Sequence, residues 1–183
     1  IVEGFAARVA ACPDAVAVVC GDAAVTYAEL DARARALARR LAWLGVGPER
    51  FVALVVPRSV ELVVAVLGVL KAGGAYVPVD PAYPAERVAS MVRDAAPMAV
   101  VAAEGLQDVV GGGLPVVVLE DGGVSCRILP GRDGAPREDA PQRGVLLSPD
   151  REDGPPEPPL PEPLPDHPAY VIFTSGSTGR PKG

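Results

Sequence analysis

Cysteine and histidine are scarce in this sequence of 183 residues. The three cysteines, Cys12, Cys20 and Cys126, are odd in number and include no CxxC pair. This argues against a disulfide framework or a zinc site and favours a reducing cytoplasm as the compartment. The one histidine, His167, lies in a proline-rich stretch. We therefore expect a solvated loop residue there, not the base of a Ser-His-Asp triad.

Long apolar runs and clusters of positive charge are also missing. The longest uninterrupted apolar stretch, residues 62–70, is nine residues long, whereas a membrane-spanning helix needs about 20. The net charge is −6, with basic and acidic residues interspersed, which argues against binding to a nucleic-acid backbone. No basic stretch precedes an apolar run at the start, so no signal peptide is predicted. Because the chain lacks an initiator Met and stops inside a glycine-rich motif, we expect part of a larger protein.

Helix-like and strand-like patterns alternate over the first two-thirds of the chain. Helices are predicted at 1–11, 26–44, 60–72 and 84–95. Strands are predicted at 15–20, 51–56, 75–79, 98–102 and 115–119. Each of these strands is an apolar run, so we expect the strands to be buried. Strands separated by helices of 10–15 residues indicate βαβ units, and continuous apolar strands are typical of parallel sheets. The predicted fold class is therefore α/β, with a mostly parallel sheet and helices on both faces.

Local signals define the ends of two of these helices. Thr26 and Glu29 have the spacing of a capping box, in which the Thr hydroxyl and the Glu carboxylate satisfy each other's backbone amides. Ser59 is suited to cap the helix at 60–72. Gly73 and Gly74 follow directly and predict its end.

Residues 120–168 differ from the rest in composition. They carry 11 acidic and 5 basic residues, and 12 of the 21 prolines lie within 130–168. Proline removes backbone donors, so we predict a loop or linker there and a mobile stretch at 130–165. A docking site for a proline-recognising domain is the alternative. A strand is predicted at 169–173, after this segment.

The last ten residues, 174–183, read TSGSTGRPKG. Glycines allow successive backbone amides to converge on an anion, and Ser and Thr add hydroxyl donors. Lys182 adds a positive charge suited to phosphate. The segment is no Walker A motif, because GxxxxGK[ST] does not fit it. A flexible Ser/Gly linker is the alternative, and the strand predicted directly before the segment favours a phosphate loop.

Three stretches of the sequence resemble motifs of one enzyme superfamily. The string YVIFTSGSTGRPKG at 170–183 resembles the phosphate loop of the adenylate-forming, AMP-binding superfamily. LKAGGAYVPVDPAYP at 70–84 and VTYAEL at 25–30 resemble core motifs of its amino-acid-activating branch, the adenylation domains of nonribosomal peptide synthetases. The resemblance covers residues 1–119 and 166–183. It implies that 1–183 is the first part of the large N-terminal subdomain of such a domain.

The resemblance also implies a reaction and a set of partners. An amino acid carboxylate attacks the α-phosphorus of ATP with the help of Mg²⁺, and pyrophosphate leaves. The aminoacyl adenylate then passes to a phosphopantetheine thiol on a peptidyl carrier domain. The remainder of the adenylation domain and the other synthetase modules are the further partners, and the alternatives are an acyl-CoA synthetase of the same superfamily or a non-catalytic truncated remnant.

The resemblance assigns ATP binding to the loop and no catalytic base to this chain. The family's amino-acid pocket, ribose-binding acid and C-terminal lysine all match positions after Gly183, so we expect the isolated chain to be inactive. Seven residues are candidates for contact with the β- and γ-phosphates of ATP. The Ser and Thr residues would donate from hydroxyls and amides, the glycines would permit close approach, and the lysine would offset charge. These residues are Thr174, Ser175, Gly176, Ser177, Thr178, Gly179 and Lys182.

Overall fold

The computed structural model describes residues 1–110, 113–120, 123–127, 159–161, 166–175 and 181–182. Four α-helices lie in these residues, at or within one residue of the predicted bounds: α1 (Val2–Ala11), α2 (Tyr27–Trp43), α3 (Val60–Lys71) and α4 (Ala85–Ala95). The capping box is confirmed, since the Thr26 side chain accepts from the Glu29 amide and the Glu29 carboxylate accepts from the Thr26 amide. The Ser59 hydroxyl caps α3 by accepting from the Leu62 amide.

A five-stranded sheet forms the centre of the fold. The strands of the described residues are β1 (Val16–Cys20), β2 (Ala23–Thr26), β3 (Phe51–Val55), β4 (Ala75–Pro78), β5 (Ala99–Ala103), β6 (Val116–Glu120), β7 (Gly123–Arg127), β8 (Thr174–Ser175) and β9 (Pro181–Lys182). The sheet order is β4-β3-β5-β6-β7, in which β3 to β6 are parallel and β7 runs antiparallel to β6. The predicted α/β class with a mostly parallel sheet is confirmed.

Helices cover both faces of this sheet, as predicted. Alternate strand residues point to opposite faces, so Val52 and Val101 belong to one buried cluster and Ala53 and Val100 to the other. The first cluster contains the apolar faces of α2 and α3. The second contains Val88 and Met91 of α4.

The contact between α2 and α3 requires a glycine. A Cβ on Gly68 would lie 2.5 Å from Leu37 Cδ2, closer than real atoms approach. Leu37 is fully buried. The two helices also share an ion pair of low exposure, in which Lys71 Nζ lies 2.9 Å from Asp31 Oδ1.

One sequence prediction near the start needs correction. The strand at 15–20 is present as β1, but it is not buried, since Val16 and Val19 are 55% and 67% exposed. It pairs antiparallel with β2, which the sequence did not predict. The hairpin therefore lies outside the main sheet, and only part of it packs against the core.

The strand predicted at 169–173 also needs correction. The residues make a single parallel bridge, Tyr76 to Tyr170, instead of a full strand. Within 120–168, where a loop or linker was predicted, the structure places β7. Apart from 159–161, the stretch 130–165 lies outside the described residues, so its predicted mobility stays a prediction.

Candidate functional site

The candidate site begins where residues 169–173 run beside β4, at one edge of the sheet. The Tyr76 amide donates to the Ala169 carbonyl at 3.1 Å, and the Val171 amide donates to the Tyr76 carbonyl at 3.0 Å. These are the bonds of a parallel pairing. The chain therefore leaves this pairing in the same direction as β4.

Side chains of this segment contact both layers of the core. The Tyr170 ring lies 5.7 Å from the Tyr76 ring, between centroids, with the ring planes tilted by 33°. Tyr76 packs against the cluster of α2 and α3, and Phe173 packs against the cluster of α4. Burial, and then the proximity of Tyr170, raise the pKa of Tyr76 above its usual value.

A short hairpin follows directly after Phe173. In it β8 pairs antiparallel with β9, with Thr174 opposite Lys182 and Ser175 opposite Pro181. We call these paired residues, 174–175 and 181–182, the phosphate hairpin, after the family motif that they belong to. The pairing brings the backbone of Thr174 close to that of Lys182, so two of the predicted phosphate contacts are neighbours.

The phosphate hairpin lies at the carboxyl end of the parallel strands. Because 169–171 runs parallel to β4, Thr174 comes after the same sheet edge as Val79 and Asp80. Open α/β sheets bind their ligands outside the carboxyl ends of the strands. The position of the hairpin therefore fits a ligand site.

The described residues include three of the seven predicted phosphate contacts. Thr174, Ser175 and Lys182 lie together in the paired strands. The remaining four lie outside the described residues, so their roles stay predictions: Gly176, Ser177, Thr178 and Gly179. No signal in the local sequence pointed to the contact between Tyr76 and Tyr170, because the two tyrosines are far apart in the chain.

The turn after β4 has its own internal contacts. Asp80 Oδ1 accepts from the Ala82 amide at 2.9 Å. The Arg87 guanidinium lies 4.2 Å from the centre of the Tyr83 ring, within the range of a cation–π contact. Both contacts are made within the turn and the start of α4, and neither reaches the phosphate hairpin.

Two further features bear on binding and location. Among residues 1–110 and the other described segments, no three His, Cys, Asp or Glu side chains converge as a metal site would require. In the same part of the chain, no helix has the length and apolar character needed to cross a membrane.

Comparison with known proteins places this chain among relatives of similar sequence and fold. A family model described as "AMP-binding enzyme" matches residues 5–183. A dimodular nonribosomal peptide synthase of Bacillus subtilis is 42% identical over 185 residues, which is 99% of this chain and 7% of that protein. Curated relatives at about this identity match the chain over only 1% to 12% of their length.

Two solved structures are similar in fold. The nonribosomal peptide synthetase FmoA3, with α-methyl-L-serine-AMP bound, superposes with a TM-score of 0.65 at 31% identity, covering 96% of this chain and 17% of that one. A benzoate CoA ligase from Burkholderia xenovorans gives a TM-score of 0.59 at 28% identity, covering 65% of this chain and 25% of that one. The motifs, the fold and the family match agree: this chain belongs to the AMP-binding enzyme family.

Proposed function

We propose that this chain supplies the phosphate hairpin and part of the scaffold of an amino-acid-adenylating domain in a nonribosomal peptide synthetase. The observation that carries the proposal is the pairing of Thr174 with Lys182 at the carboxyl edge of the sheet. Relatives about 40% identical over nearly the whole chain are peptide synthetases, which favours amino acids over other carboxylic acids.

The proposed reaction needs little from this chain beyond binding of phosphate. The amino acid carboxylate is already ionised, so no general base is required for its attack on the α-phosphorus. Negative charge builds up on the leaving pyrophosphate, and donors fixed in position stabilise it most effectively. The hydroxyls and amides of the phosphate hairpin and the charge of Lys182 would provide this.

Magnesium belongs to the proposal as the counter-ion of ATP. Mg²⁺ usually binds through one or two carboxylates together with the oxygens of substrate phosphates. The described residues hold no cluster that could bind the ion alone. In this proposal Mg²⁺ would enter with the nucleotide and lower its net negative charge.

The product would pass to a partner. In this proposal the aminoacyl adenylate reacts with the phosphopantetheine thiol of a carrier domain, within a synthetase in a reducing cytoplasm.

The test is amino-acid-dependent exchange of labelled pyrophosphate into ATP by the synthetase that contains this chain. We expect exchange with one or a few of the proteinogenic and modified amino acids, and background exchange without amino acid. Exchange that requires benzoate or a fatty acid instead, with product formed on coenzyme A, would identify an acyl-CoA synthetase. No exchange with any carboxylic acid would contradict the proposal and support a non-catalytic role.

We also infer that the 183-residue chain alone does not form an adenylate. It spans 17% of the synthetase structure and 25% of the ligase structure that it resembles. Adenylate formation depends on holding both substrates in position, and the family resemblance places the amino-acid pocket outside these residues. Exchange by the isolated chain above background would contradict this inference.

A further inference from the structure

The connection from α3 to β4 contacts two later segments of the chain, residues 160–161 and the residues that precede the phosphate hairpin. We call residues 73–76 the docking segment. Gly73 ends α3 with a φ of +78°, a conformation that side chains other than glycine rarely adopt. Its amide donates to the Leu70 carbonyl at 3.0 Å. The backbone of the docking segment is therefore fixed by the end of the helix.

One contact on this segment comes from residues 160–161. Pro161 Cγ would lie 2.8 Å from a Cβ on Gly73, so the two residues touch only because Gly73 has no side chain. Leu160 packs against the buried cluster of α2 and α3. The end of the proline-rich segment is thus attached to the core at the docking segment.

A second contact lies three residues further along. The Tyr76 ring lies 5.7 Å from the Tyr170 ring, between centroids. The backbone of Tyr76 also forms one hydrogen bond with Ala169 and one with Val171. This attachment is short, because the parallel pairing consists of a single bridge. In so short a pairing, the ring contact adds to the two backbone hydrogen bonds that attach residues 169–171 to β4.

The position of the phosphate hairpin depends on this attachment. Thr174 follows Tyr170 by four residues, which is about 13 Å of extended chain. The exposure of Tyr170 is 53%, so its ring contributes little to burial of the core. Its contact with Tyr76 therefore does more to orient the chain that enters the hairpin than to stabilise the fold.

We propose that Tyr76 is a positioning residue for the phosphate hairpin and acts through the ring of Tyr170. This rests on the proposed function, because the hairpin is taken to hold the leaving pyrophosphate. Tyr76 touches no substrate in this account. Loss of either ring lets the hairpin donors shift, which weakens pyrophosphate binding and leaves the amino-acid pocket unchanged.

The test compares Tyr76→Ala and Tyr170→Ala, singly and together, in the complete synthetase. An aromatic pair of this kind corresponds to roughly 2- to 13-fold in an equilibrium constant. We expect the KM for pyrophosphate in the exchange reaction to rise by about that factor in each single variant. The double variant is expected to be no worse than the singles, because both remove the same contact. Tyr76→Phe keeps the ring and should retain the original KM.

Tyr27→Ala is the matched control. Tyr27 is half-buried and forms a comparable ring pair with Phe5, at 5.9 Å, which makes no contact with residues 169–173 in the pairs that the structure gives. A purely structural loss lowers the amount of active enzyme and hence kcat, while KM stays constant. We expect Tyr27→Ala to behave in that way. An equal rise of KM in Tyr27→Ala, or an unchanged KM in Tyr170→Ala, would overturn the proposal.

Amide hydrogen exchange of peptides covering 166–175 separates this proposal from the proposed function. Faster amide hydrogen exchange in Tyr76→Ala and Tyr170→Ala, with no change in Tyr27→Ala, supports the positioning role of Tyr76. This result would hold even if the synthetase catalyses no pyrophosphate exchange. Unchanged protection in both tyrosine variants overturns it. Tyr170→Ala keeps the test decisive if Tyr76→Ala does not fold, because Tyr170 is half-exposed.

Discussion

The parallel sheet and the chain that leads into the phosphate hairpin are built in opposite ways. In the sheet, Val52, Val100 and Val101 are fully buried, and strands pair on both sides of β3. Next to it, the chain at 169–173 pairs through one bridge, and Tyr170 and Ile172 are more than half exposed. The buried sheet residues therefore contribute most to stability, and the hairpin residues are the ones that we propose bind phosphate. Substitutions in the two regions should affect different measurements.

The largest effect is expected for a core residue of the scaffold. Leu37→Ala removes a fully buried side chain that packs directly on Gly68. The free energy of unfolding should fall by about 2–5 kcal/mol, because a cavity forms between α2 and α3. Urea denaturation measures this. Val19→Ala is the control, with an expected change within about 0.5 kcal/mol because Val19 is 67% exposed. Equal losses in both variants would contradict the account of the core.

A smaller effect on stability is expected at the start of α2. Thr26→Ala removes the hydroxyl that accepts from the Glu29 amide, as well as its bond to the Glu29 carboxylate. N-cap replacements of this kind cost about 0.5–2 kcal/mol. Thr26→Ser should keep most of that stability. Equal melting temperatures for all three proteins would show that the capping box contributes nothing.

The hairpin hydroxyls should show the opposite pattern, with loss of activity and little loss of stability. Thr174→Ala and Ser175→Ala each remove one neutral donor, which contributes about 0.5–1.5 kcal/mol. The adenylation rate should fall roughly 2- to 13-fold. The melting temperature should stay constant, because Thr174 is exposed. A large fall in melting temperature with an unchanged rate would reverse the assignment.

The smallest effect is expected in the pH dependence of stability, at Glu61. Burial alone would raise the pKa of Glu61, but hydrogen bonds from its own backbone amide, Arg33 and Ser59 outweigh burial and lower it below 4.5. A pKa lowered on folding contributes stability above about pH 4.5 that is lost as the pH falls through the folded pKa. Glu61→Gln should therefore be destabilising by about 0.2–1 kcal/mol at pH 7 and by less at pH 3.5. A difference that does not change with pH would rule out this contribution.

Local rules explain what the sequence could predict. Helix α2 begins at a capping box, α3 ends at Gly73, and the strands of the sheet are continuous apolar runs, so each signal lies within a few residues. These signals were enough to predict the α/β class and the order of most elements. The three motifs at 25–30, 70–84 and 170–183 together pointed to the family, which the family match confirms.

Non-local pairing explains what the sequence could not predict. β2 is four residues long and forms only because β1 lies beside it. The chain at 169–173 has the composition of a strand, but a strand also needs partners, and here one bridge to β4 is formed. The contact between Tyr76 and Tyr170 depends on the same pairing. No local pattern in the sequence specifies which strands pair with each other.

The most direct test of the account is Lys182→Ala in the complete synthetase. If the phosphate hairpin holds the leaving pyrophosphate, this change removes one charge-assisted contact of about 1.5–3 kcal/mol that matters most in the transition state. The adenylation rate should fall roughly 10- to 150-fold, while the ranking of amino acid substrates and the melting temperature stay the same. An unchanged rate would show that 174–183 is a flexible linker, and a reordered substrate preference would place the hairpin at the wrong end of the substrate.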